Sequence, residues 1–163
     1  MPLPQLRAYA GVMTQNRELA PDNRRLVVSP EGAAHDDERM NDMPDAKELL
    51  HSNLHEVFSE RDPERRLAAI ERTYTEDVRF IDPEGESVGR QALSDRAQKL
   101  LDSLPAGVVL EEDGPRYVGT DTAALAWRLG PPAQPVARGI DILTISDGRV
   151  SVLRTLLVPE TVA

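Results

Sequence analysis

The sequence predicts an α+β domain in which helices come first and pack on one side of a curved antiparallel sheet. Two observations carry that expectation. Between about Asp45 and Leu104, apolar residues recur mainly at helical spacing, with one short strand-like segment between the second and third helices. Beyond Pro105 they fall in short alternating runs separated by turn residues. Helices followed by strands in this order are segregated to one face of an antiparallel sheet.

The 163 residues suffice for one domain, or for one domain with a tail. Residues 1–43 are dominated by Pro, Asn, Asp, Glu and Arg, and Leu26-Val27-Val28 is their one compact apolar run. So little apolar surface predicts a disordered or loosely docked tail. A start of translation at Met40 or Met43 is the other reading. The domain is expected over residues 44–160.

A helix is expected from about Asp45, because Asp45 and Glu48 have the spacing of a capping box. Leu50, Leu54, Val57 and Phe58 then form one apolar stripe. Asp62-Pro63 starts a second helix, with an N-cap residue followed by proline at the first helical position. Leu67, Ile70 and Tyr74 mark its expected buried side. In the strand Val78–Asp82 the period of two puts Val78, Phe80 and Asp82 on one face and Arg79 and Ile81 on the other. A third helix covers about Arg90 to Leu104, with Leu93, Ala97, Leu100, Leu101 and Leu104 as its stripe. Pro105-Ala106-Gly107 ends it. Strands are then expected over Val108–Glu112, Arg116–Val118, Thr122–Leu129, Val136–Ser146 and Arg149–Val158. Asp147-Gly148 between two apolar runs signals a two-residue hairpin turn.

Composition excludes several functions. There is no cysteine, so disulfides, thiolate nucleophiles and Cys-based metal sites are absent. No apolar run is long enough to span a bilayer. The start Met1-Pro2-Leu3-Pro4 lacks the regions of a signal peptide, so a cytoplasmic location is expected. The formal net charge of −9 argues against binding a phosphate backbone. There is no internal repeat, Gly-rich phosphate loop, G-x-S-x-G elbow or H-E-x-x-H motif.

Two carboxylates stand out instead. Asp82 closes the apolar segment Val78–Asp82, and Asp141 interrupts Gly139–Ile145. A carboxylate in a strand interior is costly unless it is paired, hydrogen-bonded or neutral. The plain alternatives are a turn-capping role for Asp82 and an ion pair of Asp141 with Arg138, Arg128 or Arg154. Trp127 shares a strand face with Ala123, Leu125 and Leu129, as a core anchor or a pocket wall. His51 and His55 stand at i, i+4, a spacing that can hold a metal. The sequence specifies no third ligand, so a solvated helix flank is the reading and no metal is expected.

The segments Phe80-Ile81-Asp82-Pro83-Glu84-Gly85 and Gly89-Arg90-Gln91-Ala92-Leu93, followed by the hairpin Gly139-Ile140-Asp141…Asp147-Gly148-Arg149-Val150, resemble the nuclear transport factor 2-like superfamily. The SnoaL-like and ketosteroid-isomerase-like branches are the nearest in pattern. The resemblance covers about Asp45 to Pro159. It implies a cone, in which a strongly bent, mixed but largely antiparallel sheet wraps three N-terminal helices around a pocket. It also implies a homodimer.

In the ketosteroid isomerases the aspartate of the Asp-Pro turn is the general base, and Asp82 matches it. The aspartate early in the penultimate strand is a protonated donor to the developing oxyanion, and Asp141 matches that. This split of carboxylate roles is an established example of pKa tuning. The first-helix tyrosine of those enzymes is matched here by Leu54, a loss that typically costs ~10²–10³ in rate. SnoaL-like cyclases use an aspartate acid/base in such a pocket, often with a histidine from a strand, and no histidine lies in this sheet.

The resemblance thus implies acid/base chemistry, such as proton transfer, isomerisation or cyclisation, on a small hydrophobic carbonyl compound. Asp82 and Asp141 would be catalytic, and Leu54, Tyr74, Phe80, Trp127 and Leu143 would contact the substrate. No cofactor, nucleic acid or membrane is expected as a partner. Two alternatives stay open. One is a non-catalytic hydrophobic-ligand or dimeric interaction module. The other is epoxide-hydrolase-like water activation by an Asp-Arg-Asp set.

Overall fold

The structure is a computed structural model, and it describes residues 43–159. Apart from Met43, the predicted tail and the alternative start at Met40 lie outside the described residues. Helix α1 spans Ala46–His51 and continues as a π-helical stretch over Ser52–Val57. Its capping box forms as expected. Asp45 Oδ1 accepts the Glu48 amide at 2.8 Å, and Glu48 Oε2 accepts the Asp45 amide at 3.0 Å. Both amides would otherwise lack partners at a helix start. The stripe Leu50, Leu54, Val57 and Phe58 is buried.

Helix α2 spans Pro63–Thr73, capped by Asp62, whose side chain accepts the Glu64 and Arg65 amides. Its buried side departs from the expected one. Ile70 is buried, and so is Tyr74, although Tyr74 begins the following strand and is not part of the helix; Leu67 is 38% exposed and Arg66 only 2%. The inward stripe is Arg66, Ala69, Ile70 and Thr73, at i, i+3, i+4 and i+7. Two of those four are polar, so an apolar count misses it. Arg66 donates to the Glu60 carbonyl at 2.7 Å and to the Gln98 side chain, tying the preceding loop to the third helix. That helix, α3, spans Arg90–Ser103 and buries Leu93, Ala97 and Leu101.

The six strands are β1 (Tyr74–Asp82), β2 (Gly85–Val88), β3 (Leu110–Val118), β4 (Thr122–Leu129), β5 (Ala137–Ser146) and β6 (Arg149–Leu157). They form one sheet in the order β2-β1-β6-β5-β4-β3. Only the β1–β6 pairing is parallel. Strand β2, which pairs back on β1 after the Asp82–Gly85 turn, was not expected from sequence. The two strands expected on either side of residues 113–115 are one strand, β3, with a register shift between Glu112 and Arg116. Pro115 is tolerated there because β3 is an edge strand, where a missing amide need not break a ladder bond.

Further register shifts occur in the β1–β6 and β5–β6 pairings. Such bulges bend a strand and increase its twist, so the sheet curves into a cone around the helices. The hairpin Asp147-Gly148 forms with φ of 51° and 73°, the left-handed values a type I′ turn requires. Strands β1, β4 and β6 run one way, and β3 and β5 run the other. The last residues of the first three and the first residues of the other two therefore gather at one end. The core beneath is built on Leu50, Leu54, Tyr74, Val78, Leu125, Leu143 and Leu153. No helix among the described residues is long and apolar enough to cross a membrane.

Candidate active site

The end where those strands gather encloses a cavity of about 80 Å³. Phe58, Phe80, Leu100, Leu110, Leu129 and Leu157 supply most of its wall, with Ala137. Asp82, Arg96, Trp127, Asp141 and Thr155 bring the polar groups. Both singled-out aspartates thus border one space.

Asp141 is 5% exposed. Trp127 Nε1 donates to its Oδ1 at 3.0 Å, Thr155 Oγ1 donates to the same oxygen at 2.7 Å, and Asn53 Nδ2 donates to Oδ2 at 2.8 Å. None of these partners is charged. The arginines considered as ion-pair partners are engaged elsewhere: Arg128 with Glu111 and Asp113, and Arg138 with Asp113. Arg154 lies on the exposed side of β6. Burial drives the Asp141 carboxyl above its ordinary value, against the hydrogen bonds from Thr155, Asn53 and Trp127, which pull it down.

A second layer fixes this arrangement. Tyr74 is fully buried and its hydroxyl donates to Asn53 Oδ1, which turns the Asn53 amide N–H toward Asp141. Burial first, and then the nearby Asp141 charge, hold the Tyr74 hydroxyl well above its ordinary range, so it stays a donor. Gly139 makes room for the indole. A Cβ there would stand 2.5 Å from Trp127 Cζ2 and 2.6 Å from the Leu156 carbonyl oxygen.

Asp82 has a different environment. Its Oδ1 accepts the Glu84 amide at 2.9 Å, the turn-capping bond anticipated for an Asp-Pro turn. Its Oδ2 accepts from the Arg96 guanidinium, whose other terminal nitrogen donates to Glu84 at 2.5 Å. The same guanidinium lies 5.6 Å from the Phe80 ring centre. The buried aspartate with the arginine is therefore Asp82, and its arginine comes from α3.

Of the expected substrate contacts, Phe80 and Trp127 line the cavity. Leu54 and Leu143 are fully buried in the core, and Tyr74 stands behind Asn53. None of those three is among the lining residues. Asn53, Arg96 and Thr155 are site residues that sequence reasoning passed over. Asn53 and Arg96 did leave a signal, since each fills the i+3 slot of an apolar stripe, Leu50-Asn53-Leu54-Val57 and Leu93-Arg96-Ala97-Leu100. On the flank, His51 and His55 acquire a third potential ligand that the sequence did not reveal, Glu112 of β3.

Comparison with known proteins agrees with this architecture. A SnoaL-like isomerase, so named by inference, from Agrobacterium tumefaciens superposes with a TM-score of 0.61 at 23% identity, covering 68% of this chain and 94% of that one. An inferred ketosteroid isomerase from Kribbella flavida gives 0.55 at 21%, covering 71% and 78%. An inferred SnoaL-like polyketide cyclase from Jannaschia gives 0.56 at 17%, covering 68% and 83%. At such identities the likeness is one of fold. No curated protein matches the sequence. The family model for the SnoaL-like domain matches residues 51–153, a stretch that contains both aspartates and most of the cone. The chain belongs to the SnoaL-like family.

Proposed function

We propose that the protein is a cofactor-independent enzyme that moves a proton on a small hydrophobic carbonyl compound held in the cavity, with Asp141 as the proton-transfer group. The observation that carries this reading is the setting of Asp141. It is a buried carboxyl on an apolar cavity, held by three neutral donors and shifted upward by burial. A general acid/base works best when its pKa approaches the working pH. Two of the donors fall on Oδ1 and one on Oδ2, which leaves Oδ2 lone-pair capacity for a proton.

In this scheme ionised Asp141 takes a proton from the carbon beside the carbonyl, and the enolate is reprotonated or attacks within the substrate. Asp82 was the expected base, but its Oδ2 accepts from the charged Arg96 guanidinium, whereas every donor to Asp141 is neutral. Asp82 then acts by holding Arg96 at the cavity, where a cation stabilises developing enolate charge.

The test is exchange of carbon-bound hydrogen in D₂O, followed by NMR over a panel of small aliphatic and cyclic ketones and single-ring phenolic carbonyl compounds. Asp141→Asn should lower the rate by about 10²–10⁴-fold. Exchange equal to wild type in that variant would overturn the assignment. The Arg96–Asp82 pair beside Asp141 favours one second reading, water activation on an epoxide. Epoxides in the same panel, read by diol formation, separate the two.

A further inference from the structure

We propose that His51, His55 and Glu112 form a binding site for a divalent first-row transition ion such as Zn²⁺, on the flank of the molecule where α1 meets β3. Each residue offers one ligand atom, and the three atoms lie within 4.8 Å of one another. The two imidazoles stand one helical turn apart with ring centres 4.7 Å apart, tilted by 39°. His55 Nε2 and Glu112 Oε1 are separated by 3.2 Å. With ligand bonds of about 2.0–2.2 Å, neighbouring ligands on zinc stand roughly 3–3.5 Å apart. The His55–Glu112 pair already has that spacing. His51 is exposed and can close the remaining distance by side-chain rotation.

Two imidazoles with one carboxylate and no thiolate suit zinc, nickel, cobalt or iron rather than calcium or magnesium, which prefer all-oxygen sites. Three protein ligands leave at least one coordination position for water. None of the three residues lines the cavity, so the site is independent of the proposed proton transfer.

Arg116 both helps and competes. It donates to both oxygens of Glu112, Nε to Oε2 at 3.2 Å and Nη2 to Oε1. Those bonds hold the carboxylate in place with Oε1 beside His55 Nε2. The positive charge of Arg116 also opposes a cation. A bound ion takes over Oε1, leaving Arg116 on Oε2. The metal would then join the helix to β3 beside the bond that Arg116 Nη1 donates to the Lys47 carbonyl at 3.1 Å.

The experiment uses untagged full-length protein, stripped with a chelator and titrated with Zn²⁺ by calorimetry, with Co²⁺ absorption as a second readout. One ion per chain should bind, with a rise in Tm. His51→Ala, His55→Ala and Glu112→Gln should each weaken binding by about tenfold or more. Arg116→Ala should strengthen it, because a cation beside the carboxylate is removed. His35→Ala should leave it unchanged. Absence of binding, or binding that all three ligand variants leave intact, would overturn the proposal. So would loss of binding in His35→Ala alone.

Discussion

Asp141 is the residue on which the proposed chemistry turns, and its titration has a direction. Burial raises its folded-state pKa, so the folded protein holds that proton more tightly than the unfolded chain does. The contribution to stability is complete below the unfolded value, about 3.9, and is lost as pH rises through the higher folded value. Asp141→Asn has no such titration. The Trp127 and Thr155 donors can still meet its carbonyl oxygen, and Asn53 can turn to accept. Thermal unfolding followed from pH 4 upward should therefore show the variant gaining on wild type as pH rises, and a constant difference in Tm would refute this. The hydrogen bonds act in the other direction. Thr155→Val removes a donor to the carboxylate, worth ~1.5–3 kcal/mol for a charged acceptor, and this favours the protonated form. The acid limb of the pH–rate profile should then move up by roughly one to two pH units. Unchanged limbs would mean that another group titrates.

At the scale of elements, one β-bulge decides what surrounds that carboxylate. A regular hairpin about Asp147-Gly148 would put Arg154 opposite Asp141. The register shift between Thr144 and Ile145 puts Thr155 there instead and sets Arg154 against Ile142. Opposed residues share a sheet face, so the bulge replaces a buried ion pair with a neutral hydrogen bond. Sequence alone gives no count of residues in a bulge, which is why Arg154 was a reasonable partner on paper. Across the β4–β5 pairing, Trp127 lies opposite Gly139 and reaches Asp141 only because Gly139 has no side chain. Gly139→Ala should therefore push the indole out of place and cost about 1–3 kcal/mol through overpacking. Trp127 is the single tryptophan, so its fluorescence should shift along with the loss of stability in denaturant titrations. A variant with wild-type emission and midpoint would show that the close approach is relieved cheaply.

At the scale of the molecule, the sequence determined the three helices and, apart from β2 and the undivided β3, the strands that follow, together with the caps at Asp45 and Asp62, the hairpin turn and the family resemblance. These depend on local periodicity and on side chains that bond to their own backbone. It also marked Asp82 and Asp141, because charge in an apolar strand is visible without coordinates. What it left open depends on partners distant in the chain. Arg96 reaches Asp82 from another helix, Asn53 and Tyr74 reach Asp141 across the core, and Glu112 completes a histidine pair from an edge strand. In each helix that packs on the sheet, a polar residue occupies an inward slot: Asn53, Arg66 and Arg96. Periodicity counts such residues as gaps in an apolar stripe. Only the tertiary structure shows whether a gap is solvent or a buried partner, because that is decided by where bulges and sheet curvature carry the opposing strand.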